Sequence, residues 1–389
     1  MKRDNKTSTI RDILVKLRKY SSIAVGLSLY SMAFNDKLAA LEVLRIENAV
    51  DELYRSLIAR IIIALRSTTY LPTAVSLLSV YSSIDEITDA SADIAGAVLR
   101  GYRAHPYITA VACRGEAVGL ITSRSNVKGL PARVDVLLLK RGEKYEIAPE
   151  IDYVSEGDLL VVRGPLDEIL QLAKALGEEH YEARCSENFD VLAHLGDPLA
   201  SNLLRLKSLS LSMLDLAFYS ILNDDVEIAE AVVEMESWAD KLYHEILELA
   251  HSWSRPSEPL EAVSLFILVK SLEELSDAAT RIAKVVVDRE NPKVIGEALG
   301  EGEEAYIRVR GSEGLKPSTI EELDFEDRGL IPVAMRRGGD WIAPLTPSHE
   351  VAPGDELILK YYRESIEAGA KVLEELRQLG FEKVRVERS

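Results

Sequence analysis

Residues 47–54 read ENAVDELY and residues 236–243 read ESWADKLY. Each segment has a glutamate, an aspartate four residues later and a Leu-Tyr pair. Each also lies in a long run whose apolar residues recur every three or four positions, as in a helix that buries one face. Like charges four residues apart destabilise a helix by about 0.2–0.5 kcal/mol. The position of the same acidic pair in two such runs is therefore the feature from which the fold can be worked out.

The similarity between the two segments extends over most of the 389-residue chain. YSMAFND (30–36) precedes the first segment and FYSILND (218–224) precedes the second. SSIDEITDASADIA (82–95) corresponds in the same way to KSLEELSDAATRIA (270–283). Similarity that recurs at a nearly fixed offset is typical of an internal repeat. The chain therefore consists of two similar halves.

Each half is predicted to contain a helical unit followed by a small α+β module. Residues 9–103 and 198–289 have helical apolar spacing with few glycines or prolines, which predicts three long helices in each range. Alternating segments such as VDVLLLK and DELILK, separated by EGD and PGD turns, predict strands in the remainder. The predicted domains are 1–104 and 191–292 for the helical units, and 105–190 and 293–389 for the modules. The fold class is α plus α+β, with the helical units packed as a six-helix bundle.

Acidic pairs recur on the second and third helices of each predicted unit. On the second helix the pair interrupts a stripe that is otherwise apolar or aromatic, and the third helix adds another pair with the same spacing. If these helices pack antiparallel, the four carboxylates of a unit meet. The eight residues are Glu47, Asp51, Asp85, Asp89, Glu236, Asp240, Glu273 and Asp277.

Two interpretations of these acids remain open. Carboxylates that share a half-buried site have raised pKa values unless a cation neutralises them, and divalent metals are suitable counter-ions for such oxygen ligands. A single acidic pair on a helix, however, usually lies on a solvated face or pairs with Arg or Lys. Recurrence at duplicated positions makes a metal site and a solvated face equal alternatives. His244 follows Asp240 by four residues but has Arg55 as its counterpart, so we expect it at the surface.

Composition limits the function. The formal charge of −18, from 64 acidic and 46 basic residues, disfavours a nucleic-acid partner because phosphates would be repelled. The two cysteines, Cys113 and Cys185, are far apart and do not indicate a zinc site or a disulfide framework. The most apolar region is interrupted by charged residues and a proline, so no membrane insertion is expected. The amino-terminal residues lack a signal-peptide pattern. We expect a cytoplasmic protein.

The paired acidic motifs on three-helix units resemble those of PhoU-like domains, and all eight acids match that pattern. The α+β modules resemble the TrkA C-terminal domain (RCK-C), with an apolar strand, a basic turn, a proline and then Gly-Asp before another strand. The second module (LIPVAMRRG…APGDELIL) follows this pattern more fully. The first module is degenerate, since ITAVACRGEAVGLITSRSNVKGL (108–130) departs from it.

The resemblances imply a cytosolic regulator of cation transport, of potassium or a divalent metal, rather than an enzyme. They imply a bound iron, zinc, nickel or magnesium ion at the acids, a small ligand at the RCK-C modules, and a homodimer. They also imply that the protein docks on the cytoplasmic face of a membrane cation transporter. Two alternatives remain: a ferritin-like metalloenzyme, which would need Glu-x-x-His on two helices, and a metal-free structural adaptor.

Overall fold

The structure is a computed structural model, and it is mostly helical with several small sheets. The end of the predicted first module (105–190), from residue 179 onward, lies outside the described residues. The described residues are 9–64, 71–112, 116–130, 133–142, 144–147, 151–178, 197–253, 259–289, 292–299, 304–325, 328–362 and 366–384.

Long helices occur in two groups of three, as the apolar spacing predicts. Thr9 caps the first helix in a reciprocal capping box with Asp12, and Asp197 caps the first helix of the second group. The helices of the first half are α1 (Ile10–Ala33), α2 (Lys37–Ala64), α3 (Leu71–Leu99), α4 (Pro106–Ala112) and α5 (Leu166–Ala175). Those of the second half are α6 (Pro198–Asn223), α7 (Val226–Trp253), α8 (Pro259–Val287), α9 (Pro292–Leu299), α10 (Ile320–Leu323) and α11 (Ile366–Gln378). None of the helices in the described ranges is long and apolar enough to cross a membrane.

The two groups of helices contact each other mainly through α3 and α8. Arg281 pairs with Glu86, and Lys270 Nζ lies 3.7 Å from an Asp93 carboxylate oxygen. The residue numbers of these pairs rise on one helix as they fall on the other, so α3 and α8 run antiparallel. Buried residues of both groups belong to one contiguous hydrophobic core.

A pair of buried cations also joins the two halves. Arg18 on α1 donates from Nη1 to the carbonyl oxygen of Leu299 at 3.3 Å, at the end of α9. Lys207 on α6 donates from Nζ to the carbonyl oxygen of Val111 at 3.4 Å, near the end of α4. Both side chains are almost fully buried. A positive charge near a helix carboxyl terminus is favourable because the last carbonyls are unpaired. Each half therefore completes a short helix of the other half.

The two α+β modules share one strand order. The first sheet is ordered β1-β6-β3-β4, and the second contains the corresponding order β7-β12-β9-β10, with β13 added beside β7. Each module also has a two-stranded sheet, β2-β5 and β8-β11. The strands of the first module are Glu116–Thr122, Val127–Lys128, Asp135–Arg141, Lys144–Ile147, Tyr153–Val154 and Leu159–Pro165 (β1–β6). Those of the second are Glu304–Gly311, Ser318–Thr319, Leu330–Arg337, Asp340–Ile342, Glu350–Val351, Glu356–Tyr362 and Phe381–Lys383 (β7–β13).

A β-bulge at the same place in each sheet turns two consecutive residues toward the helices. The β3–β6 register passes over Leu137, and the β9–β12 register passes over Val333. Leu137, Leu138, Val333 and Ala334 are all buried in the core that contains the long helices. A bulge redirects side chains in this way because it breaks the alternation of the strand. The opposite face of each sheet packs in a separate core with the module's own helix.

The basic turn and the Gly-Asp turn of each module bind each other. In the first module Arg141 donates from Nη2 to Asp158 Oδ2 at 2.7 Å and to the carbonyl oxygen of Tyr153 at 2.9 Å. Arg337 and Asp355 make the corresponding contacts in the second module. The glycine before each aspartate has φ of +88°, which favours glycine. These motif residues therefore stabilise the turns themselves.

Buried ionic contacts hold the second module to the helices. Arg308 on β7 donates from Nη1 to Asp225 Oδ2 at 2.9 Å, in front of α7, and from Nε to Glu356 Oε2 at 2.7 Å on β12. Glu227 in the first turn of α7 pairs with both Arg308 and Arg336. In the first module Arg163 on β6 bridges Asp135 and the backbone of α1.

The close packing of α9 on α6 predicts the effect of adding one methyl group. A Cβ at Gly296 would lie 2.1 Å from the carbonyl oxygen of Ile221. We expect Gly296→Ala to lower the free energy of unfolding by about 1–3 kcal/mol, because the two helix backbones must separate. Urea denaturation measures this change.

Gly96→Ala in α3 is the matched control, because its added Cβ would meet only the flexible Arg100 side chain. Alanine is the better helix former, so this variant should be neutral or slightly stabilised. Equal destabilisation of both variants would contradict the close packing of α9 on α6.

Candidate metal centre

Helix α7 has a buried stripe with a row of acids beside it. Asp225 accepts a hydrogen bond from the backbone nitrogen of Ile228 at 3.2 Å and so begins the helix. Glu236 is half-buried at the edge of the apolar face, whereas Asp240 is exposed. The buried stripe of α7 contains Ile228, Val232, Met235, Ala239, Leu242 and Ile246.

Three carboxylates of the second unit come together between α7 and α8. Asp240, Glu273 and Asp277 each offer an oxygen, and these atoms lie within 4.8 Å of one another. Glu273 and Asp277 are half-buried on α8. The three oxygens come from two helices, α7 and α8. This arrangement suits a hard or borderline divalent cation, which prefers oxygen ligands.

Glu236 lies beside this group. One of its carboxylate oxygens is 4.0 Å from Lys284 Nζ, and its charge contributes to the raised pKa of Asp277. His244 is exposed and stacks edge-on against Tyr243, as expected for a surface histidine. Of the four second-unit acids selected from the sequence, the structure thus groups three closely and places the fourth next to them.

Burial and mutual repulsion perturb these carboxyl groups. Burial, followed by repulsion from Asp277 and Asp240, raises the pKa of Glu273 to about 7. Burial also raises the pKa of Asp277, with further contributions from Glu236 and Asp240. A bound cation would oppose this repulsion and restore the ionised forms. Ionisation of Glu273 and Asp277 is therefore less favourable here than in water.

The first unit has a looser version of the cluster. Burial raises the pKa of Glu47. Burial, followed by repulsion from Asp85, raises the pKa of Asp89 to about 6. Asp51 Oδ2 lies 3.8 Å from Arg55 Nη2. Asp85 Oδ1 accepts a hydrogen bond from the Tyr81 hydroxyl at 2.7 Å. Across the described part of this unit, no three acids share the 4.8 Å spacing found in the second.

A stacked tyrosine pair accompanies the first-unit acids. The rings of Tyr54 on α2 and Tyr81 on α3 lie 3.8 Å apart and almost parallel. This contact joins the two helices next to the carboxylates. The position of Tyr54 in the quoted octapeptide was available from the sequence, but its stacking partner was not, because the phase between the two helices is a tertiary property.

The raised pKa of Glu273 predicts a pH-dependent stability in the metal-free protein. The folded state has a pKa of about 7 against a model value of 4.5, so it binds more protons than the unfolded state between these values. The free energy of unfolding should therefore fall as pH rises through this range. Glu273→Gln should melt higher than the unsubstituted protein at pH 8 in EDTA, and at the same temperature at pH 4.

Glu234→Gln, at an exposed position on α7, serves as the control and should leave the pH profile unchanged. An identical profile for Glu273→Gln and the unsubstituted protein would show that Glu273 is ordinarily solvated.

Comparison with known proteins gives matches to one family. The family model described as PhoU domain matches residues 14–98 and 203–286. Among curated proteins, none matches this sequence.

Two solved PhoU structures are similar to this chain. PhoU from Pseudomonas aeruginosa has a TM-score of 0.41 and 13% identity, covering 72% of this chain and 93% of that one. The phosphate transport system regulatory protein PhoU from Streptococcus pneumoniae has a TM-score of 0.41 and 14% identity, covering 71% and 89%. The two ranges matched by the family model coincide with the three-helix units that carry the acids. The PhoU domain model therefore matches one three-helix unit in each half.

Proposed function

We propose that this protein is a cytosolic regulator of a membrane transporter and that it acts by binding rather than by catalysis. The observation that carries the proposal is the pair of PhoU domains, each with acidic pairs on its second and third helices. The transported species is a cation in our proposal, potassium or a divalent metal, because the modules resemble RCK-C domains. Phosphate is the second candidate, since the similar S. pneumoniae protein is described as a regulator of a phosphate transport system.

We further propose that Asp240, Glu273 and Asp277 hold a divalent or transition metal ion, with Glu236 completing the site. The 4.8 Å spacing of the three oxygens and the raised pKa of Glu273 support this assignment. Iron, zinc, nickel and magnesium are the candidates. The looser first-unit group, Glu47, Asp51, Asp85 and Asp89, is proposed as a second and weaker site. The bound ion would fix the approach of α7 to α8.

The RCK-C assignment of the two modules is likewise a proposal. Their common strand order and paired Gly-Asp turns support a shared ancestry of the modules within this chain. Arg337 and Asp355 pair with each other, so a small ligand would have to bind elsewhere on the module. The domain boundaries at 104, 190 and 292 and the homodimer also belong to this proposal.

The partner is proposed to be a basic cytoplasmic loop of the transporter. A chain with a formal charge of −18 attracts positively charged surfaces and is repelled by anionic lipid headgroups. Regulation requires different affinities for two transporter states, typically a coupling of about 1–3 kcal/mol. The enzyme alternative has little support from the residues, because Glu248 and His251 supply the Glu-x-x-His spacing only once.

Metal analysis tests the proposed site directly. Protein purified without added metal should contain stoichiometric metal by mass spectrometry, and Asp240→Asn with Asp277→Asn should remove it from the second unit. The amides keep the shape of the side chains but remove the charge that attracts a cation. Glu234→Gln, on the exposed side of α7, should leave the metal content unchanged. Unchanged metal in the double variant would refute the site, and metal-free native protein would favour the adaptor alternative.

Transport is tested separately. The protein should co-purify with a transporter from native membranes, and deletion of its gene should alter potassium uptake, with phosphate uptake measured in parallel. A change confined to phosphate uptake would support the second candidate. Normal uptake of both, with only soluble proteins recovered, would reject the transport proposal.

A further inference from the structure

One matching position of the two sheets holds a charged residue in the second module and an apolar residue in the first. Arg308 on β7 lies opposite Ile358 of β12, and Leu120 on β1 lies opposite Val161 of β6. Ile358 and Val161 each stand next to the bulge that the two modules share. Leu120 therefore occupies in the first module the place that Arg308 occupies in the second.

In the second half this place is filled by a buried guanidinium. Arg308 Nη1 donates a hydrogen bond to Asp225 Oδ2 at 2.9 Å. Asp225 Oδ1 accepts a hydrogen bond from the backbone nitrogen of Ile228 and so caps the start of α7. The charge of Asp225 also acts on the buried Tyr219 of α6. One carboxylate thus serves two purposes, capping a helix with one oxygen and binding a cation with the other.

The first half retains the carboxylate and the tyrosine of this arrangement. Asp36 Oδ1 accepts hydrogen bonds from the backbone nitrogens of Leu38 at 2.9 Å and Ala39 at 3.0 Å, and so begins α2. The hydroxyl of the buried Tyr30 lies 3.5 Å from Asp36 Oδ2. Oδ2 is the same oxygen that binds Arg308 in the second half. The position of the cation is occupied by Leu120.

A hollow of about 620 Å³ opens at this position. Among the residues that the structure describes, Asp36 has no ion-pair partner, and Lys37 at the hollow is exposed. Leu38 contributes an apolar wall and is 49% exposed. The hollow is lined by Tyr30, Phe34, Asn35, Asp36, Lys37, Leu38 and Leu120.

A carboxylate with apolar residues such as Phe34, Leu38 and Leu120 beside it suits one kind of side chain in particular. An arginine packs its aliphatic stem on apolar surface while its guanidinium hydrogen-bonds a carboxylate. A lysine ammonium is more strongly hydrated and loses more on leaving water. The net charge of −18 would also draw a basic partner toward the surface.

We propose that the hollow beside Asp36 receives an arginine side chain from a partner protein, in the place that the chain's own Arg308 fills in the second half. The exposed Leu38 and Leu41 would then contact apolar parts of the same partner loop. This inference depends on the internal repeat and uses neither the metal site nor the identity of the transporter.

A capped Gly-Gly-Arg-Gly-Gly peptide is the probe, followed by NMR titration. It should bind the full chain saturably, and at least tenfold more tightly than the corresponding lysine peptide. Leu120→Arg should abolish binding, because the new guanidinium fills the hollow, and should raise the melting temperature. Asp36→Asn should weaken binding at least tenfold while keeping the helix cap, since asparagine caps as well as aspartate.

Two results would overturn the proposal. One is that the unsubstituted protein does not bind the peptide, or that both variants bind it as tightly as the unsubstituted protein does. The other is free arginine binding more tightly than the peptide, which would assign the hollow to a small molecule instead of a protein partner. Because Asp36→Asn preserves the fold on the capping argument, the test does not depend on Leu120→Arg folding.

Discussion

The arrangement of the helices depends on the packing of α3 against α8. Each of these helices packs on the other two helices of its own unit. A further face of each helix is not covered by its own unit and contacts the other unit. Their antiparallel contact joins the two units into one hydrophobic core and is fixed in register by the Arg281–Glu86 and Lys270–Asp93 pairs. Those pairs are partly exposed, so the apolar contact supplies most of the stability and the charges supply the register.

Buried charge is used in two opposite ways around this core. Arg18 and Lys207 are buried against helix carboxyl termini, where the free carbonyls compensate them. At the acid cluster, by contrast, the half-buried Glu273 and Asp277 lie close to the exposed Asp240, and Lys284 Nζ is 4.0 Å from a carboxylate oxygen of the neighbouring Glu236. Structural charges are compensated within the fold, whereas the cluster keeps a deficit of positive charge. That contrast is the physical reason for treating the acids as a binding site.

Much of this architecture could be predicted from the sequence. Three helices per half follow from apolar spacing, and the repeat of the octapeptide around Glu47 and Glu236 identifies the acids. Their final grouping could not be predicted, because the packing of α7 against α8, which brings Asp240 rather than Glu236 into the group with Glu273, is a tertiary property. The pairings of Arg18 with α9 and of Lys207 with α4 were also missed. Each is a contact between halves, and spacing within one helix carries no information about it.

The two halves have diverged at the joint between module and helix. The second joint is ionic and places Arg308 against Asp225 and Glu227 at the start of α7. A buried ion network fixes direction more than it adds stability, because desolvation offsets the attraction. Asp240 lies on the same helix about 20 Å further along, at 1.5 Å per residue. A continuous helix thus connects the acid cluster to the second module. A change in how α7 approaches α8 would therefore move this joint, whereas the first module has Leu120 at the position of Arg308.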